Sequence, residues 1–158
     1  LRRVQSDAAV VRRSDQRRRL VTKARVLFLC TGNSARSQMA EGWLRHLAGD
    51  RFEVASAGTH PIGVNPLAVE AMREVGIDLS AHRSELVGQY QTQTFDHVIT
   101  VCDRAKESCP IFPGSVRTHH WSFEDPAAAV GSHEERLAAF RIVRDQILER
   151  LRVFLSSL

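Results

Sequence analysis

Short runs of strand-forming residues alternate along the chain with longer stripes of helical period. The runs at 25–30, 52–58, 97–102 and 117–121 predict four strands. Apolar stripes at 34–47, 65–76 and 132–154 predict three main helices, and 84–87 predicts a short helical turn. Because strands alternate with helices, the pattern predicts an α/β fold with a parallel sheet and right-handed crossovers.

Two of the predicted helices carry clear boundary signals. Asn65-Pro66 has the residue types of an N-cap and a first-turn proline, and Gly76 is typical of a helix end. The last helix begins at Ser132, where Glu135 three residues later completes a capping box.

The first predicted strand ends in Cys30 and runs into a loop of small residues followed by a helix. Backbone N–H groups of such a loop, with a helix N-terminus behind them, suit a tetrahedral oxyanion. Gly32 and Asn33 tolerate the left-handed backbone that an anion nest needs, and Arg36 offers a planar two-pronged donor. A cysteine at this position is favoured as a thiolate, so a nucleophile and an anion clamp share one loop. The predicted oxyanion-binding loop comprises Thr31, Gly32, Asn33, Ser34, Ala35, Arg36 and Ser37.

The composition excludes several classes of protein. A chain of 158 residues is one domain with room for a core. It has no apolar run of the ~20 residues that span a bilayer, so we expect no membrane contact. Its three cysteines are too few for a secreted disulfide framework and suit a reducing compartment such as the cytoplasm. Its seven histidines form no zinc-binding spacing with cysteines.

The basic charge is concentrated at the start of the chain. Residues 1–20 hold seven arginines and two aspartates, whereas residues 21–158 hold 15 basic and 16 acidic side chains. We therefore divide the chain into a basic, disordered arm at 1–22 and a catalytic domain at 23–158. The arm is interpreted as an extended gene start. A contact with nucleic acid or an acidic surface, and an Arg-rich transit segment, remain the alternatives.

Further reactive side chains follow two other predicted strands. Cys102 ends the third strand as Cys30 ends the first, and in a parallel sheet these ends meet at the ligand-binding edge. Asp125-Pro126 follows the fourth strand, in a loop that should overhang the same edge. A carboxylic acid there can donate a proton to a leaving oxygen. Cys109 lies seven residues after Cys102, across a short polar segment that would have to deform before the two sulfurs could bond.

The Cys-x5-Arg-Ser sequence directly after the first strand resembles the low-molecular-weight protein tyrosine phosphatases. The longer run from Cys30 to Trp43 is more similar to the arsenate reductases of that fold, and Cys102 and Cys109 resemble the redox pair of the thioredoxin-coupled members. The resemblance covers about 24–156 and implies a three-layer α/β fold around a central four-stranded parallel sheet.

The resemblance also implies a reaction and its partners. Cys30 would attack arsenate held by Arg36 and the loop, with phosphate and sulfate as analogues, and Asp125 would act as the general acid. A transient Cys30–Cys102 disulfide would follow, and then a redox-active Cys102–Cys109 disulfide that thioredoxin reduces. Ser37 would hydrogen-bond the Cys30 thiolate. Asn33 would hold the loop in shape, as would Thr31.

No tightly bound cofactor is expected, but some members of the family bind a potassium ion near the loop. The corresponding residues here are Asn33, Glu41, Ser56 and Glu85, with Glu85 in place of an aspartate and the cationic Arg83 close by.

Two other functions remain open. A phosphatase of this fold needs only Cys30, Arg36 and Asp125, but such enzymes carry aromatic residues after the Asp-Pro, where this chain has three alanines at 127–129. A thiol sensor or oxyanion-binding module would have no use for a carboxylic acid at Asp125. We expect a monomer that acts on a small oxyanion and has no nucleic-acid partner.

Overall fold

The computed structural model describes residues 23–158, and the basic arm predicted at 1–22 lies outside the described residues. A four-stranded sheet forms from β1 (Ala24–Cys30), β2 (Phe52–Gly58), β3 (His97–Thr100) and β4 (Arg117–His120). The strand order is β2-β1-β3-β4, and all three pairings are parallel. The α/β fold with a central four-stranded parallel sheet is confirmed.

Within residues 23–158, four α-helices flank the sheet: α1 (Arg36–Ala48), α2 (Pro66–Arg73), α3 (Asp103–Glu107) and α4 (His133–Ser156). Both α1 and α2 pack against α4. The Trp43 indole N–H donates to the carbonyl oxygen of Arg144 at 3.1 Å, which fixes α1 on α4. No helix within residues 23–158 is long and apolar enough to cross a bilayer.

The central strand explains where the core lies. Val26, Leu27, Phe28 and Leu29 of β1 are completely buried, as a strand covered on both faces requires. Each such side chain stabilises the fold by roughly 1.5–3 kcal/mol on burial. Cys30 therefore stands at the end of a strand that is buried on both faces and paired on both edges.

The predicted caps are present. The Asn65 side chain accepts from the backbone N–H of Leu67, and Ser132 and Glu135 form the reciprocal capping box. Gly76, at φ +81°, closes the turn after α2.

Several boundaries differ from the sequence prediction. The first helix starts at Arg36 because residues before it form the loop, and α2 ends at Arg73. β3 ends at Thr100, and an extended Cys102 forms the N-cap of α3. The helical turn expected at 84–87 was misplaced. Leu86 instead bridges to Gly58 in an extended conformation, and the turn follows at Val87–Tyr90.

Candidate active site

Cys30 lies at the end of β1, is only 3% exposed, and has hydrogen-bond donors around its sulfur. The Asn33 backbone N–H donates to Cys30 Sγ at 3.2 Å, and Ser37 Oγ lies 2.8 Å from the same sulfur. The Asn33 side-chain amide donates to Ser37 Oγ at 2.8 Å, which leaves the serine's own proton for the sulfur. Two donors therefore face Cys30, an arrangement that stabilises a thiolate.

The loop after Cys30 is held by the segment that follows β2. Because the carbonyl and N–H of a peptide point in opposite directions, tying the carbonyls back turns the intervening N–H groups toward the side on which the cysteine sulfur lies. The loop thus has the form of an anion nest. Four loop carbonyls accept backbone hydrogen bonds of 2.8–3.3 Å: Cys30 from Thr59, Thr31 from His60, Gly32 from Ile62, and Ser34 from Asn65.

Two residues make this path possible. Asn33 has φ +46°, the left-handed region in which asparagine is among the better tolerated residues. Gly58 stands opposite Cys30 in the β1–β2 register. A Cβ at Gly58 would lie 2.6 Å from the Thr31 carbonyl oxygen and 2.9 Å from the Asn33 nitrogen, so a larger residue there would displace the loop.

Arg36 of the loop and Asp125 of the segment after β4 both line a cavity of about 640 Å³, which Cys30 also lines. Arg36 Nη1 donates to the carbonyl oxygen of Phe123 at 3.0 Å, which ties the anion loop to the segment that carries Asp125. Asp125 accepts from the backbone N–H of Ala127 at 3.0 Å and so orients its own carboxylate. An oxyanion in this cavity would lie between a nucleophile, a guanidinium and a carboxyl group.

Cys102 lines the same cavity as Cys30. It is 4% exposed, and its sulfur lies 3.4 Å from Thr31 Oγ1 in the anion loop. The structure therefore brings the first two of the three predicted cysteines to one site, as the shared sheet edge implied.

Cys109 lies outside that cavity. All three cysteines are free thiols, and α3 separates Cys102 from Cys109. The Cys109 thiol is half-buried and donates weakly to the Pro110 carbonyl oxygen at 3.6 Å, and burial raises its pKa. In this conformation Cys109 is held back from reaction.

The four potassium-site residues lie near one another, but their polar groups already have protein partners. The Asn33 amide donates to Ser56 Oγ at 2.9 Å, Ser56 Oγ donates to Glu41 at 2.7 Å, and Tyr90 donates to Glu85. The Glu41 carboxylate also meets the Arg45 guanidinium at 2.8 Å. A guanidinium beside that carboxylate opposes a second cation, so the arrangement does not fit potassium.

The residue types that bind multivalent metals are not clustered in the described residues either. Within the part of the chain that the structure describes, no group of three or more His, Cys, Asp or Glu side chains is placed to share a metal ion.

Sequence reasoning missed three contributors to the site. Gln38 donates from Nε2 to Asn33 Oδ1 and to the Arg83 carbonyl oxygen, both at 3.0 Å. It thereby connects the anion loop to the segment after α2. Gly58 leaves room for the loop, and Arg104 adds a cation to the cavity lining. Only Arg104 had a sequence signal, since it lies two residues after Cys102.

Comparison with known proteins agrees with this geometry. The family model for low molecular weight phosphotyrosine protein phosphatase matches residues 25–158. The arsenate reductase of Bacillus subtilis is 49% identical over 132 residues, covering 84% of this chain and 95% of that protein.

Two solved structures are similar in fold. A structure of an arsenate reductase in the oxidised state superposes with a TM-score of 0.73 at 32% identity, covering 85% of this chain and 98% of its own. A thioredoxin-dependent arsenate reductase of Corynebacterium glutamicum superposes with a TM-score of 0.59 at 28% identity, covering 86% of this chain and 64% of its own.

Proposed function

This chain belongs to the low molecular weight phosphotyrosine protein phosphatase family, and we propose that it is an arsenate reductase that works through three cysteines. The observation that carries the proposal is the placement of Cys102 on the cavity of Cys30, with its sulfur 3.4 Å from Thr31 Oγ1. A phosphatase needs one cysteine at this site, whereas reduction needs a second thiol in reach of the first. The reductases that match this chain support the same assignment.

The first step is a displacement at arsenic. The Cys30 thiolate forms an S–As bond while one As–O bond breaks, and the departing oxygen leaves as water with a proton from Asp125. The guanidinium of Arg36 and the loop N–H groups hold the remaining oxygens. Arsenic is still As(V) at this point.

The second step transfers two electrons. The Cys102 thiolate attacks Cys30 Sγ, the S–As bond breaks with its electron pair going to arsenic, and arsenite leaves as As(III). A Cys30–Cys102 disulfide remains. Thr31 Oγ1, 3.4 Å from Cys102 Sγ, is close enough to hydrogen-bond that sulfur before the attack.

The third step frees the nucleophile. The Cys109 thiolate attacks Cys102 Sγ, the Cys30–Cys102 bond breaks, and Cys30 leaves as a thiolate. The resulting Cys102–Cys109 disulfide is the substrate for an external dithiol. Thioredoxin is proposed as that reductant, because the Cys102/Cys109 pair resembles that of thioredoxin-coupled reductases and one fold neighbour is thioredoxin-dependent.

Phosphatase activity is the second candidate, because the same loop and acid can hydrolyse a phosphate ester. The residue that lines the cavity beyond Asp125 is Ala127, so an aryl substrate lacks a stacking partner at that position. We therefore expect only weak aryl phosphate hydrolysis.

A trapping experiment tests the relay directly. Cys109→Ser should stop after one arsenate turnover and accumulate a Cys30–Cys102 disulfide, detected by mass spectrometry of peptides alkylated in acid. Ser108→Ala serves as a control in the same segment and should turn over repeatedly. Continuous arsenate reduction by Cys109→Ser would contradict the proposal.

A further inference from the structure

A chain of side-chain hydrogen bonds joins the ends of β3 and β4 to the first residue of α3. His120 Nδ1 lies 2.7 Å from Thr100 Oγ1, and His120 Nε2 lies 2.9 Å from Asp103 Oδ1. Ser122 Oγ donates to the same carboxylate oxygen at 3.3 Å. We call these four residues the Asp103 clamp. None of them belongs to the anion loop or to the three cysteines.

Within the clamp, the His120 ring bridges the end of β3 and the start of α3. Its Nε2 donates to the Asp103 carboxylate at 2.9 Å, and its Nδ1 lies 2.7 Å from Thr100 Oγ1, which also lies 3.3 Å from the His119 carbonyl oxygen. The hydrogen bond from His120, followed by that from Ser122, lowers the pKa of Asp103, so both partners favour the Asp103 carboxylate.

The clamp is attached to the segment that must move during the relay. Asp103 follows Cys102 directly and begins α3. A helix rises 1.5 Å per residue, so cysteines seven positions apart are separated by roughly 10 Å, whereas a disulfide needs Cα atoms about 4.4–6.8 Å apart. The third step therefore requires α3 to unwind.

Little else fixes the start of α3. It is a five-residue helix whose N-cap, Cys102, makes no side-chain capping bond, and helices of this length are unstable alone. The buried Ala105 and backbone hydrogen bonds, among them those from Lys106 to Cys102 and from Ser108 to Arg104, hold the turn itself. The clamp is the side-chain connection from the first residue of that turn to the sheet.

We propose that Asp103 and His120 are positioning residues that hold Cys102 beside Cys30 for the second step and oppose formation of the Cys102–Cys109 disulfide until that step is complete. This inference rests on the proposed relay. The clamp exists in the dithiol form, and unwinding α3 removes it, so it stabilises the dithiol and raises the reduction potential of the pair.

The consequence can be measured without arsenate. In a Cys30→Ala background, the Cys102–Cys109 pair is equilibrated with mixtures of oxidised and reduced dithiothreitol, quenched in acid and counted by mass spectrometry. Asp103→Asn should shift the equilibrium toward the disulfide by about two- to fivefold, which makes the reduction potential of the pair about 10–20 mV more negative. Asp103 is exposed, so this variant should fold.

The partners and a matched control identify the clamp as the cause. His120→Gln should give a shift of similar size, and the double variant with Asp103→Asn should shift no further than either single change. Glu107→Gln removes one negative charge from the same exposed helix and should leave the equilibrium unchanged. Ser122→Ala should give a smaller shift in the same direction.

Three results would overturn the inference. One is a shift in Glu107→Gln equal to that in Asp103→Asn, which would assign the effect to general charge. Another is additivity of the Asp103 and His120 changes. If no Cys102–Cys109 disulfide forms even in the Cys30→Ala parent, the relay itself fails and the clamp's role with it.

Discussion

Asn33 offers the sharpest test of how the anion loop is built, because its side chain is completely buried and bonded on every side. Its amide donates to Ser37 Oγ at 2.8 Å and to Ser56 Oγ at 2.9 Å. Its side-chain oxygen Oδ1 accepts from Gln38 Nε2 at 3.0 Å and from the Glu85 backbone N–H at 2.8 Å. One side chain thus connects the loop to α1, to β2 and to the segment after α2.

Asn33→Gly removes these four hydrogen bonds without straining a backbone at φ +46°. At about 0.5–1.5 kcal/mol for each bond, the four losses together should lower the free energy of unfolding by about 2–6 kcal/mol. Asn33→Ala should lose about 1 kcal/mol more, because a Cβ disfavours the left-handed region. Urea unfolding followed by circular dichroism measures both values.

Loss of the Asn33 side chain should also slow the first arsenate turnover, because the loop N–H groups lose their fixed direction. Ser132→Ala is the matched control. It removes the side-chain cap of α4, away from the anion loop, and should cost about 1 kcal/mol with turnover unchanged. A loss below about 1 kcal/mol in Asn33→Gly, with normal turnover, would refute the reasoning.

Four further outcomes are expected. Asp125→Asn should slow the first turnover by about 10²–10⁴-fold in stopped-flow assays, and wild-type rates would favour a mere oxyanion-binding module. Because burial raises the pKa of Cys109 above its usual 9.0, the rate of Cys102–Cys109 disulfide formation should rise with pH up to at least that value, and a flat profile from pH 7 to 9 would contradict this. Replacing potassium by sodium should leave turnover unchanged in the wild type, where Arg45 occupies the Glu41 carboxylate, and a potassium requirement would show that the ion-pair interpretation is wrong. Burial, together with nearby cations and, for His97, the neighbouring His119 ring, lowers the pKa of His97 and His119 below 6.5 in the folded state. The unfolded chain therefore binds more protons than the folded one in acid. The free energy of unfolding, measured in urea, should fall as pH drops below 6.5, and it should fall less steeply in His97→Gln.

The sequence predicted the parts of the fold that follow from local pattern. A fully apolar β1, the caps of α2 and α4, and a small-residue loop between β1 and α1 are local features with short-range physical causes. The site at the carboxyl edge of the sheet followed from parallel topology, which is why Cys30 and Cys102 could be placed together before the structure was known.

Contacts between distant side chains were beyond that reasoning. The fixing of the loop carbonyls by residues 59–65 depends on where the chain passes after β2, which no periodicity encodes. The bond between His120 and Asp103 joins residues 17 positions apart on different elements. The Glu41–Arg45 pair is the exception, since its i,i+4 spacing on one helix could have been read from the sequence.

The central claim is that three cysteines act in sequence on arsenate. It is tested most directly by arsenate-dependent oxidation of NADPH in the presence of thioredoxin and its reductase, with wild type and Cys109→Ser measured side by side. The relay predicts continuous turnover in the wild type and a single equivalent of arsenite from the variant. No arsenate turnover in the wild type, together with aryl phosphate hydrolysis that Cys109→Ser leaves unchanged, would instead show a phosphatase whose Cys102 and Cys109 take no part in the reaction.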